Sequence, residues 1–200
     1  MLNSLKLFVA AALVAVASPL IAQDTASPEP AAPSSQEFDL GTPVDDSAPR
    51  PGEPYVREVF GDWALRCLVA EVGEDPCQMY QLLLDPSDNP VAEISIVPLA
   101  DGGPAVAGVV AVVPLETLLT EQLTLSIDGG EARRYAFNFC NRAGCVARFG
   151  LTDEQVAFLK RGASGVLSIV PAAVPDRQIN LTMSLIGFTA GFDAATATAN

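Results

Sequence analysis

No histidine occurs among the 200 residues. Histidine is the commonest general base, the commonest zinc ligand and the usual charge switch near neutral pH. Its absence removes Ser/His/Asp and Cys/His catalysis outright. Positive charge is also scarce, with 11 Lys and Arg against 24 Asp and Glu, a formal net charge of −13 and an isoelectric point near 4.2. Phosphate-binding surfaces need clustered basic residues and those here are scattered, which argues against a nucleic-acid partner and against an anionic membrane surface. A chain of this sign attracts basic partners, and it also stays in solution.

Beyond the N-terminus no apolar run is long enough to span a bilayer. At the N-terminus, Lys6 precedes an apolar stretch from Leu7 to Ala17, followed by small residues around Ser18, Pro19 and Ala22. That order reads as a secretory signal peptide over residues 1–22, with cleavage after Ala17 or Ala22 and the latter favoured. No cysteine lies nearby, so a lipid anchor has no support, and no transmembrane segment is expected after cleavage. Residues 23–56 are rich in Pro, Ala, Ser and acid, with Pro28, Pro30, Pro33, Pro43, Pro49, Pro51 and Pro54 and few large apolar residues. Such a segment buries too little surface to offset the entropy of ordering it and is expected to be a disordered acidic linker.

From Tyr55 onward the texture changes. Half of the whole chain is hydrophobic, enough for one sizeable core. Trp63, Leu65, Cys67 and Val69 alternate with Ala64, Arg66 and Leu68. Further strand patterns cover 77–84, 91–97, 107–113, 123–127, 165–170 and 178–186, separated by Gly, Pro and Asp turns. The stretch 135–149, YAFNFCNRAGCVARF, reads as a β-hairpin with Tyr135, Phe137 and Phe139 on one buried face and a turn at Asn141 to Gly144. One helix interrupts the strands: Thr152 with Gln155 forms a capping-box pattern, Asp153 and Glu154 suit its first turn, Lys160 and Arg161 its last, and Gly162 stops it. Val156, Phe158 and Leu159 supply its apolar side, and Leu115 to Leu119 leaves room for another helical turn. The expected fold is all-β, an antiparallel β-sandwich or barrel-like domain over 57–192 with one short α-helix near 152–161 and a flexible C-terminal tail over 193–200.

Four cysteines in an exported chain imply two disulfides, with three possible connectivities. Cys67 and Cys77 bracket one loop between candidate strands and Cys140 and Cys145 another, so hairpin geometry favours pairing Cys67 with Cys77 and Cys140 with Cys145. A thiol redox or folding factor working through Cys140 and Cys145 is the alternative. Dithiol oxidoreductases place two residues between their cysteines at a helix N-terminus, whereas four residues separate these two in a strand-turn-strand setting. Glu71, Glu74 and Asp75 share one loop and Asp85 and Asp88 another, without the spacing of a calcium loop or a defined catalytic pair. No catalytic, cofactor-binding or metal-ligating residue is assigned.

Several segments, in order and together with the four cysteines, carry a family resemblance: FGDWALRC (Phe60 to Cys67), CQMYQ (Cys77 to Gln81), FCNRAGCVA (Phe139 to Ala147), LKRG (Leu159 to Gly162) and SLIGFTAGF (Ser184 to Phe192). Through them the chain resembles the invasion-associated locus B family of exported bacterial proteins. The resemblance implies a small periplasmic or secreted β-rich domain whose founding members are linked to host-cell invasion, and it carries over no catalytic residues. The expected role is a non-enzymatic, disulfide-stapled domain that binds an envelope or extracellular protein.

Overall fold

The computed structural model describes residues 39–43, 50–100 and 102–198. The expected signal peptide, and the expected linker apart from residues 39–43 and 50–56, lie outside the described residues. The chain divides into two units, Met1–Val44 and Asp45–Asn200. Of the first, residues 39–43 are described, and there Asp39 accepts a hydrogen bond from the Gly41 amide at 2.9 Å.

Along the second unit the elements are β1 (Pro54–Phe60), β2 (Trp63–Leu68), β3 (Cys77–Leu84), β4 (Pro90–Pro98), β5 (Ala107–Val113), β6 (Leu123–Ile127), β7 (Arg133–Tyr135), β8 (Phe137–Asn141), β9 (Gly144–Leu151), α1 (Asp153–Arg161), β10 (Ser164–Ile169), β11 (Ile179–Ser184) and α2 (Phe188–Ala197). A 3-10 turn, Leu119–Glu121, lies before β6. The strands form two antiparallel sheets, as the alternation in the sequence predicts. The larger has the order β1-β2-β3-β4-β5-β9-β8 and the smaller β11-β10-β6-β7.

Period-two alternation builds the core. On the larger sheet Leu65, Met79, Ile96 and Val109 lie across from one another on adjacent strands and are all buried. On the smaller sheet Leu125, Leu167 and Leu181 form the matching row. These rows, with Trp63, Phe188 and Phe192, belong to a single apolar cluster that both sheets share. Fully burying one such side chain contributes about 1.5–3 kcal/mol relative to leaving it in water, so the sheets stay together through this face.

Helix α1 carries the capping box its sequence announces: the Thr152 hydroxyl accepts from the Gln155 amide at 3.4 Å while the Gln155 side chain accepts from the Thr152 amide at 2.9 Å. Gly162 ends it without a left-handed turn, since its φ is −74°. The glycine makes room instead, because a Cβ there would lie 2.8 Å from Leu185 Cδ1 and 3.0 Å from Asp128 Oδ2 and would oblige those side chains to shift.

The structure departs from the sequence pattern in five places. Tyr135 belongs to β7 in the smaller sheet, and the chain passes through Ala136 into β8 at the edge of the larger one. Phe139 is 43% exposed there, because an edge strand leaves one side open, so Tyr135, Phe137 and Phe139 do not share a buried face. Helix α2 occupies 188–197 and includes positions expected in the tail. β1 begins at Pro54, inside the stretch expected to be linker. Phe158, expected on the apolar side of α1, is exposed, and only Val156 and Leu159 of that trio are buried. Helical geometry near 115–119 is confined to the 3-10 turn, while Thr117 makes a β-bridge to Pro171.

Both outermost strands of the larger sheet are irregular. β1 has a bulge between Val56 and Glu58. β8 has one between Phe137 and Phe139, where the Asn138 side chain accepts from the Arg148 amide at 2.6 Å.

Candidate functional site

The four cysteines sit at directly opposed strand positions. Cys67 on β2 faces Cys77 on β3, and Cys140 on β8 faces Cys145 on β9; each pair is joined by a disulfide. The first bridge is buried. The second is asymmetric, since Cys145 is buried and Cys140 is exposed at the hairpin mouth. No free cysteine is present among the described residues.

The loop carboxylates organise turns. Asp75 accepts from the Ala70 amide at 2.8 Å and from the Tyr55 hydroxyl at 2.7 Å. The amide bond first, and the Tyr55 bond second, hold its pKa below the ordinary carboxylate value. Asp85 accepts from the Ser87 and Asn89 amides across its turn, and its pKa is lowered chiefly by the Asn89 bonds. Among the described residues, no cluster of three or more acid or cysteine side chains is placed to hold a metal ion.

Three of the segments that carry the family resemblance converge on one junction between the sheets. Gln81 is 6% exposed. Its side chain donates to the Asp62 and Ser184 carbonyls at 3.2 and 3.1 Å and accepts from the Ser184 amide at 2.9 Å. The Trp63 indole donates to the same Ser184 carbonyl at 2.8 Å, the Ser184 hydroxyl bonds the Asp62 carboxylate, and the Asp62 amide donates to the Ile186 carbonyl at 3.1 Å. Trp63 and Phe188 meet edge to face with ring centroids 5.4 Å apart. These bonds tie Asp62, Trp63, Gln81 and Ser184 to one another, so the junction latches one flank of the sandwich.

A second feature lies where residues of β6 and β7 come together with α1. A groove of about 510 Å³ opens there, floored by Leu125, Ile127, Leu151 and Leu159. Tyr135 forms one wall, its ring stacked on Phe149 with centroids 3.6 Å apart. Burial raises the pKa of its hydroxyl, against the opposing pull of the Arg133 charge and a hydrogen bond from Gln155. Glu131, Arg133 and Glu154 stand at the rim, and the exposed Phe158 ring completes it. An apolar floor and a few convergent polar groups suit this groove to a ligand. The sequence gives one signal for it, an apolar Phe158 on a helix whose neighbouring apolar residues already fill the buried stripe. The hairpin pattern over 135–149 draws Tyr135 away from this groove, and Arg133 carries no strand signal of its own.

A family model described as invasion associated locus B (IalB) protein matches residues 63–196. The crystal structure of invasion associated protein b from Bartonella henselae matches with a TM-score of 0.59 at 26% sequence identity, covering 70% of this chain and 94% of that one. No curated protein matches the sequence.

Proposed function

The chain belongs to the invasion associated locus B family, and from that premise we propose that it is exported and acts outside the cytoplasm as a non-enzymatic binding domain for an envelope or extracellular protein or its fragments. The observation that carries this reading is how the chemistry is distributed. The sulfurs, Asp62, Asp75, Asp85, Gln81 and Ser184 are occupied in internal bonds, whereas the groove between β7 and α1 keeps charged side chains at its mouth. Residues 1–22 act as signal peptide, cleaved after Ala17 or Ala22, and the stretch from 23 to the start of β1 as a spacer ahead of the domain. Two disulfides suit an oxidising compartment, and no helix among the described residues is long and apolar enough to cross a membrane.

The test is to express the full chain, separate cytoplasm, periplasm, envelope and medium, and measure mass and thiols in each. The expected product is extracytoplasmic, shorter by the leader and free of reactive thiol, and when immobilised it retains an envelope or extracellular component. A full-length cytoplasmic product, or no retained component, overturns the reading. The exposure of Cys140 favours a second reading, a thiol redox or folding factor using Cys140 and Cys145. That reading requires a reactive dithiol pair in the exported protein, which the same thiol count reveals.

A further inference from the structure

We propose that the groove between β6–β7 and α1 takes a short apolar peptide with free ends, its carboxylate held by Arg133 and Tyr135 and its ammonium by Glu131 and Glu154. This rests on the binding reading above and names the ligand.

The argument starts from which groups remain unused. Gln155 gives its side-chain oxygen to the Thr152 amide as half of the capping box. The Gln155 side chain lowers the phenol's pKa, and among the described residues the Tyr135 hydroxyl hydrogen is given to no acceptor. Beside it, Arg133 has no carboxylate within ion-pair distance among those residues, where Lys160 with Asp193 is the pair that forms. A guanidinium next to a phenol O–H, over an apolar floor, is a carboxylate-recognition arrangement, because both donate and the dry floor strengthens the bonds. The ring that carries the hydroxyl is fixed by stacking on Phe149, so little orientation entropy is lost on binding.

The rim also limits what the carboxylate belongs to. Glu131 and Glu154 line the same groove and the chain is strongly acidic overall, so a simple anion such as a fatty acid meets repulsion on approach. A zwitterion with an apolar body satisfies both signs at once. The volume of about 510 Å³ has room for a di- or tripeptide, and the Leu and Ile floor selects apolar side chains.

The experiment uses the mature, disulfide-intact chain and the tripeptide Leu-Ala-Leu as probe, with calorimetry for affinity and amide NMR shifts for location. Shifts are expected within 125–135 and 151–159. Amidating the C-terminus, or acetylating the N-terminus, is expected to weaken binding about tenfold each. Arg133→Gln is expected to weaken the free peptide by a similar factor while leaving the amidated one unchanged, which a merely structural effect would not do. Arg133 is exposed, so this variant folds, and an unchanged melting temperature checks that. No binding, equal affinity for free and capped peptides, or shifts elsewhere on the sandwich would overturn the assignment. An acetylated peptide that binds as well as the free one also overturns it, since the site then reads the C-terminus of a larger chain. If the probe fails while an envelope component is still retained, the ligand falls and the binding reading stands; if both fail, both fall.

Discussion

Gly187 shows how closely one residue is constrained at the latch. Its φ of 84° lies in the left-handed region, and an added Cβ would run into the Phe60 carbonyl. Strain and collision act together, so Gly187→Ala is expected to cost about 3 kcal/mol or more, measured by denaturant melts. Gln81→Leu at the same junction leaves the Ser184 amide and the Asp62 carbonyl short of a buried partner and is expected to cost about 2–4 kcal/mol by the same assay. Asp75 sets a pH dependence. Its folded pKa lies below the unfolded one, so its contribution is present above the ordinary carboxylate range and is lost as pH falls through the folded value. Asp75→Asn should flatten the acid limb of the stability curve, measured by denaturant melts across pH. Gln81 does not stand out in the sequence as structurally important, because its partner Ser184 lies 103 residues along the chain.

At the scale of elements, what could be read in advance was whatever is encoded locally. α1 was legible because Thr152, Gln155, the acidic first turn and the basic last turn are contiguous, and Thr152→Ala should cost about 1 kcal/mol and loosen the Gln155 side of the groove. α2 was not, because it starts at a left-handed glycine with no side-chain cap and has neither acidic first-turn nor basic last-turn residues. Its stability comes from burying Phe188, Phe192 and Ala195, and that is a tertiary cause. The hairpin was half legible. Its turn and cysteines were local signals, but the break at Ala136 depends on which sheet each strand joins. The two disulfides should differ in consequence. Replacing Cys140 and Cys145 by Ala is expected to cost about 2 kcal/mol in loop entropy and to raise amide exchange mainly over 137–147, at the sheet edge. Replacing Cys67 and Cys77 loosens a buried pair within the core cluster, with a loop-entropy cost of about 3 kcal/mol and faster exchange across β2, β3 and β4.

For the molecule as a whole, fold class was legible in the alternation of the strands, since a period of two with one buried face has few solutions. The groove was not, because it lies between elements whose neighbours are set by topology. The boundary at the N-terminal side is testable. A chain starting at residue 50 keeps β1 and the Phe60 to Asp62 turn and should melt with the mature protein. One starting at residue 63, where the family match begins, loses β1 and the bond from the Asp62 amide to Ile186 and should melt several degrees lower by calorimetry. The bulges in β1 and β8 bear on a different matter, the behaviour of many copies together. Flat outer strands offer unpaired amides and carbonyls as templates for a neighbour's backbone, and a bulge breaks that template by twisting the strand and misaligning its spacing. With both margins interrupted in this way, the larger sheet is a poor template for edge-to-edge growth between copies.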